Sequence, residues 1–192
     1  MDLAECVGQD GSSENLAEAL ARADRYAIRA VYREYHEQVR AFARRLLGSE
    51  VDAEEIVQEV FLALPKAMGR FRSESRLSTF VMGIAVNHAR HYVRASARRR
   101  AAMRRFVEQE ALASDPSELP DERLAREQLA ELLLLAMDRL SEEQRIAFVL
   151  CEIEERSSRE VSEILGIPSS TVRARVGLAR EKLQLALEEV HR

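Results

Sequence analysis

Residues 71–105 read FRSESRLSTFVMGIAVNHARHYVRASARRRAAMRR, and the spacing inside this stretch sets the reading of the whole chain. Ser78 or Thr79 can cap a helix beginning at Phe80, and no proline or run of glycine interrupts the pattern before Arg98. One helix is predicted. At helical periodicity Val81, Ile84, Ala85, His88 and Tyr92 share one side, while Phe80, Asn87, Arg90, His91, Arg94 and Arg98 share the other. The first set is a core face. The second joins an aromatic ring, an amide, an imidazole and a row of guanidinium groups, which is chemistry suited to nucleic acid. Arginines neutralise phosphates, an amide pairs with a base edge, and a ring stacks on an unpaired base. A solvated charged face beside an ordinary core would carry similar residues, and two neighbouring features favour nucleic acid. Arg98, Arg99, Arg100, Arg104 and Arg105 prolong the positive charge, and the polar stretch 70–79 has the make-up of a loop that closes over an extruded base.

The rest of the 192 residues supports an all-α reading: 46% are apolar, 32% charged and only 5% aromatic, and helical spacing outnumbers alternation. The longest apolar run, 132–137, is too short to cross a bilayer. The acidic start MDLAECVGQD lacks the basic-then-apolar order of a signal peptide, so a cytoplasmic protein without membrane insertion is expected. Cys6 and Cys151 stand alone, and His88 and His91 lie on different edges of the helix with no third ligand beside them. No metal or cofactor is therefore expected. Without a nucleophile–base pair or a glycine-rich phosphate loop, no catalytic residue is expected either.

A net charge of −4 would argue against a nucleic-acid partner, but its distribution reverses that conclusion. Residues 1–24 carry −5, residues 25–107 carry +9, residues 108–127 carry −5 and residues 128–192 carry −3. One basic module sits between acidic segments.

Four parts follow from this. Residues 1–24 are an acidic extension, read as loose over the first dozen residues with a helical start afterwards. In the module 25–105, Ile28, Val31, Tyr35, Val39, Phe42 and Leu46 mark a helix from Tyr26 that Gly48 ends. Asp52 and Glu55 resemble a capping box opening the next helix, which buries Ile56, Val57, Val60, Phe61 and Leu64 until Pro65. Its other face presents Glu54, Glu55, Gln58 and Glu59, either merely solvated or a docking surface for a basic partner. Residues 106–122, with Pro116 and Pro120, break all periodicity and form a flexible linker long enough that the flanking modules need not touch.

The module 123–192 opens with a helix ending near Leu140, followed by a capping box at Ser141 and Gln144 and a helix burying Ile146, Ala147, Val149 and Leu150. Ser157 and Glu160 cap a short helix, Gly166-Ile167-Pro168 turns the chain, and Ser169 or Ser170 caps a longer helix burying Val172, Val176, Ala179 and Leu183. This is a helix-turn-helix. Arg173 and Arg180 line one edge of its second helix, and Arg175 and Lys182 line the other.

The segments DAEEIVQEVFLAL, FRSESRLSTFVMGIAVNHARHYVR, LSEEQRIAFVLCEIEE and SREVSEILGIPSSTVRARVGLAREKL, in this order, resemble the extracytoplasmic-function sigma factors of bacterial RNA polymerase. The resemblance implies a transcription initiation factor that binds core polymerase and directs it to −10 and −35 promoter elements. It implies that Glu55, Gln58 and Glu59 dock on the polymerase. It implies that Phe71, Arg72, Ser73, Arg76 and Thr79, with Phe80 and Asn87, capture a flipped −10 base, and that Arg90, His91, Arg94 and Arg98 hold the strands near the melting point. The −35 reader would use Ser170, Thr171, Arg173, Ala174, Arg175, Gly177, Leu178 and Arg180. With few hydrogen-bonding groups at its centre, that helix is expected to lean on Arg173 and Arg175, with Ala174 or Leu178 on thymine methyls. An anti-sigma protein is the further partner implied.

Three departures stand out. Phe80 replaces a usual Trp, Glu155 and Arg156 replace a Gly and an apolar residue before the helix-turn-helix, and Gly177 and Leu178 sit where relatives are often aromatic and basic. The competing reading is a stand-alone helix-turn-helix regulator with a sensor or dimerisation domain. It gives no reason for an acidic docking face beside a basic reading helix.

Overall fold

The structure is a computed structural model that describes the backbone of residues 11–71, 76–111 and 122–190, and side chains over 16–71, 76–103 and 129–189. Helices α1 (Gly11–Ala21), α2 (Arg25–Leu47), α3 (Glu50–Ala67) and α4 (Leu77–Ala111) form the first domain. Helices α5 (Glu122–Met137), α6 (Glu142–Phe148), α7 (Ser158–Leu165) and α8 (Ser169–Val190) form the second. No strand occurs among the described residues.

Local chemistry sets the helix ends. Asp24 accepts hydrogen bonds from the N–H groups of Tyr26 and Ala27, 2.9 Å each, and starts α2. Gly48, at φ +71°, ends it by donating to the Arg44 carbonyl at 2.8 Å. Ser49 rather than Asp52 caps α3, through the Asp52 N–H at 3.2 Å. Asp52 is left inside the first turn, where its buried carboxylate pairs with Arg99 of α4. A capping-box pattern displaced by three residues concealed that role.

The core of the first domain is Val31, Val39, Phe42 and Leu46 from α2, Ile56, Val60 and Leu64 from α3, and Val81, Met82, Ala85 and Ala89 from α4, each fully buried. Leu20 of α1 is fully buried among them, so the acidic extension is helical from Gly11 and joins this core. Helix α4 starts three residues before Phe80 and runs on to Ala111, because its Ala-, Arg- and Glu-rich continuation has high helix propensity and no breaker. The linker read over 106–122 is correspondingly shorter, and residues 112–121 lie outside the described ones. Met82, Val86 and Val93 are buried in addition to the expected stripe, while His88 and Tyr92 are only half-buried. The α4 surface is covered from two sides: α2 and α3 pack on one, and the second domain packs on the other.

In the second domain both expected capping boxes form, Ser141 with Gln144 and Ser157 with Glu160. Gly166 turns the chain at φ +64°, and α8 buries Val172, Val176, Ala179 and Leu183, the set its periodicity predicts. After α6 the chain widens into a π-helical turn, Val149–Ile153. Glu155 then stands at φ +55°, a left-handed conformation that favours glycine.

The domains touch. Leu134 of α5 lies over Gly48, so closely that a Cβ there would overlap its side chain. A Cβ on Gly83 of α4 would lie 3.3 Å from the Ile164 carbonyl oxygen of α7. A flexible tether permits separation without enforcing it.

Because Glu155 occupies a left-handed position, Glu155→Gly is expected to stabilise the chain by about 0.5–1 kcal/mol, relief of strain outweighing the added freedom of the unfolded state. Urea denaturation measures it, and a loss of stability would contradict the strain.

Candidate nucleic-acid interface

Two helices of the first domain carry the expected site, and one carboxylate ties them together. On α3, Glu55 and Gln58 are exposed, while Glu54 turns to Arg40 at 3.2 Å and leaves the face. Glu59 is drawn inward: it accepts a hydrogen bond from the Tyr92 hydroxyl at 2.9 Å and lies 2.8 Å from His88 Nδ1. Burial, then the Glu59 carboxylate, then the charge of Glu55 push the Tyr92 hydroxyl far above its ordinary value, so it remains a donor. Two residues that the sequence reading passed over flank the acidic pair on the same stripe, Val51 at 70% and Leu62 at 81% exposure. Leu62 sits one turn beyond Gln58, a spacing legible in advance had the neighbouring core leucine, Leu64, not drawn attention.

On α4, Asn87, His91, Arg94 and Arg98 are exposed at steps of three and four and form one stripe. At its head the rings of Phe71 and Phe80 meet edge to face, centroids 5.0 Å apart and planes at 64°. Arg76 is exposed and Thr79 half-buried beside them, whereas Arg72 and Ser73 lie outside the described residues. The arginine run divides in two. Arg99 is held by Asp52 and Arg100 by Asp138, so both serve the fold, a correction to their reading as a continuation of the binding surface. Arg94 reaches Glu142 of α6 at 3.0 Å, and the half-buried Arg90 lies 3.6 Å from the same carboxylate, whose side chain is 10% exposed.

On α8, Ser170, Arg173, Ala174, Gly177, Leu178 and Arg180 are exposed, with Thr171 and Arg175 half-buried beside them. Arg180 is engaged by both oxygens of Glu152, at 2.8 and 2.9 Å, leaving Arg173 as the freer cation at the centre of the face.

Beneath these surfaces lies a buried charge cluster that sequence reasoning missed. Arg145, 1% exposed, donates through Nε to the Leu46 carbonyl at 2.9 Å and through Nη1 to Asp138 at 2.5 Å. Arg100 donates to the Leu47 carbonyl at 2.6 Å and forks onto Asp138 at 2.9 and 2.5 Å. Burial alone would raise the Asp138 carboxyl, but the hydrogen bonds and charges of the two guanidinium groups outweigh it and hold the group below the usual carboxylate range. Only the contact between α6 and the end of α2 makes Arg145 intelligible; its position beside a capping box carries no such signal.

Residues 31–99 match Sigma-70 region 2, and residues 130–183 match Sigma-70, region 4. The chain is 27% identical over 185 residues to the RNA polymerase sigma-H factor of Pseudomonas aeruginosa, covering 93% of this chain and 95% of that protein. It is 29% identical over 173 residues to the ECF RNA polymerase sigma-E factor of Escherichia coli, covering 88% and 90%. Among solved structures, CnrH in complex with the cytosolic domain of CnrY shares the fold with a TM-score of 0.62 at 23% identity, over 91% of this chain and 96% of that one. RpoE in complex with the anti-sigma factor NepR from Bartonella quintana aligns with a TM-score of 0.51, also at 23% identity, over 80% and 91%.

Removing the carboxylate in Asp138→Ala leaves Arg145 without its counter-charge and is expected to cost about 3 kcal/mol in denaturant unfolding. In the native chain this contribution is present above the ordinary carboxylate pKa and is lost as pH falls through the lowered folded value. A loss below about 1 kcal/mol would contradict the buried pairing.

Proposed function

The chain belongs to the extracytoplasmic-function sigma factors of bacterial RNA polymerase and directs the core enzyme to promoters, and we propose the following division of that work among its residues. Helix α3 docks on core polymerase through Glu55 and Gln58, with Leu62 and Val51 as apolar contacts at either end of the stripe. Glu59 acts one step back. Its hydrogen bonds to His88 and Tyr92 fix α4 relative to the docked α3, so that seating the polymerase also aims the strand-gripping face.

The observation that carries this reading is the exposed stripe Asn87, His91, Arg94 and Arg98, headed by the Phe71–Phe80 pair and held rigidly beside the acidic docking face. Asn87 offers a donor and an acceptor to a base edge, the ring pair bounds a slot for an unstacked −10 base, and the arginines neutralise the phosphates that follow. Arg76, exposed beside the ring pair, adds a cation to that slot, and Arg72 and Ser73, outside the described residues, are assigned to the same base by the resemblance. On α8, Arg173 reads the −35 element from the major groove with Arg175 on the backbone, while Ala174 and Leu178 face thymine methyls and Gly177 allows close approach.

Each module alone binds weakly. Joined on one polymerase, they gain from effective concentration. An anti-sigma protein is the expected inhibitor, supported by two structural relatives, RpoE solved in complex with the anti-sigma factor NepR and CnrH in complex with the cytosolic domain of CnrY. The setting is the cytoplasm, where the polymerase acts. No helix of the described residues is long and apolar enough to cross a membrane.

The double variant Gln58→Lys, Leu62→Asp leaves both side chains in solvent and is expected to keep its helicity yet lose about tenfold or more in affinity for purified core polymerase. Native-gel or interferometry titration reads the change. Retention equal to the parent chain would remove α3 from the docking role.

A further inference from the structure

Helix α6 does not finish as a regular helix. It widens into the π-helical segment Val149–Ile153, closed by the Glu154 N–H on the Val149 carbonyl at 2.9 Å. Such turns are rare and frequent at functional sites, because the wider turn shifts the side chains that follow out of helical phase. Here Val149 and Leu150 stay fully buried while Glu152 reaches across to α8. Both of its carboxylate oxygens accept from Nη2 of Arg180, at 2.8 and 2.9 Å, with the two side chains 30% and 63% exposed. Nε and Nη1 of Arg180 keep their N–H groups without a partner among the described residues.

The other cations of α8 are placed differently. Arg173, two turns back along the same edge, has no ion-pair partner among the described residues, and Lys182 on the opposite edge donates to the neutral Gln144 at 3.0 Å. Arg180 is thus the one basic residue of α8 in an ion pair among the described residues. A carboxylate set against a guanidinium has two effects. At a distance the pair is neutral, so Arg180 adds little to the general pull of α8 on phosphates, which grows with the number of free cations. At contact the guanidinium is already fixed, so its remaining N–H groups take a phosphate without the loss of side-chain freedom that a loose arginine suffers.

We propose that Glu152 is a positioning residue for −35 recognition: it fixes Arg180 as a backbone clamp that engages only when α8 is seated in register in the major groove. This rests on the reading of Arg180 as a −35 contact. A phosphate held beside the helix sets its register, and Arg173, Ala174 and Leu178 then meet their base pairs. One cation is thereby turned from general attraction to discrimination.

Holoenzyme reconstituted from core polymerase and the full chain tests this on a template pool randomised over the −35 segment upstream of one fixed −10 element. A single reference template of unvaried sequence, transcribed in the same reaction, reads the amount of active holoenzyme. Enrichment of the preferred −35 sequences over the pool mean reads discrimination. Glu152→Gln, Arg180→Ala and the double variant are compared with the parent, and Glu131→Gln, exposed on α5, is the charge-matched control.

Glu152→Gln is expected to lower the enrichment about fivefold at an unchanged reference signal, and the control to leave it as in the parent. Arg180→Ala is expected to lower it at least as far, and adding Glu152→Gln to that background to change nothing more, because Glu152 acts through Arg180. Enrichment kept in Glu152→Gln but lost in Arg180→Ala overturns the positioning role and leaves Arg180 among the −35 contacts. Enrichment kept in Arg180→Ala overturns the proposal together with that residue's place in the −35 reading. A double variant that falls by the product of the two single losses also overturns it, by showing that Glu152 acts through another partner.

Discussion

A guanidinium at 1% exposure must find a counter-charge and acceptors for its protons, and the way Arg145 finds them organises this molecule. Its partners are Asp138 and the carbonyl of Leu46, at the end of α2 where a helix leaves acceptors without intrahelical donors. Arg100 takes the next carbonyl, Leu47, and shares Asp138. One carboxylate thus joins the last turn of α2, the middle of α4 and the start of the second domain. Cations at a helix C-terminus are also favoured by its dipole. The junction sets this charge cluster beside apolar contacts such as Leu134 over Gly48.

The same combination of apolar packing and paired charge lets α4 serve several neighbours. Its apolar residues are buried against α2 and α3, Arg99 and Arg100 are anchored by Asp52 and Asp138, and Asn87, His91 and Arg98 remain in solvent. A helix this basic would ordinarily repel itself. Here part of its charge is neutralised by built-in carboxylates, and the remainder forms a narrow stripe. Glu59, held by His88 and Tyr92, ties that stripe to the exposed face of α3 that carries Glu55 and Gln58. On the proposed assignment of these faces, recognition of the enzyme and of the strand are linked through this carboxylate.

Features set by neighbours within four residues were legible from sequence. The capping boxes at Ser141 and Ser157, the buried stripe of α8 and the turn at Gly166 each follow from local hydrogen bonding or periodicity, and each forms. The exposed stripe of α4 was legible too, because exposure on an amphipathic helix is a matter of phase. What escaped depends on partners far along the chain. Asp52 reads as a cap until Arg99 is seen beside it, nothing local marks Arg145 for burial, and Glu59, grouped with Glu55 and Gln58 on one face, gives no sign of its bonds to His88 and Tyr92. Contact between the domains was equally invisible, since linker composition bounds how far two modules can separate but does not set how closely they lie. The unusual Glu155 did show in the sequence, as a departure from the pattern the resemblance implies, and in the structure it stands in a left-handed turn leaving the π-helical segment.

Transcription in vitro with purified core polymerase and fragmented genomic DNA, followed by sequencing of RNA 5′ ends, addresses the central claim most directly. The account predicts discrete start sites that appear only when the chain is added, share two upstream elements at fixed spacing, and vanish with Asn87→Ala. Starts that are identical with and without the chain, or that share no upstream sequence, would contradict it.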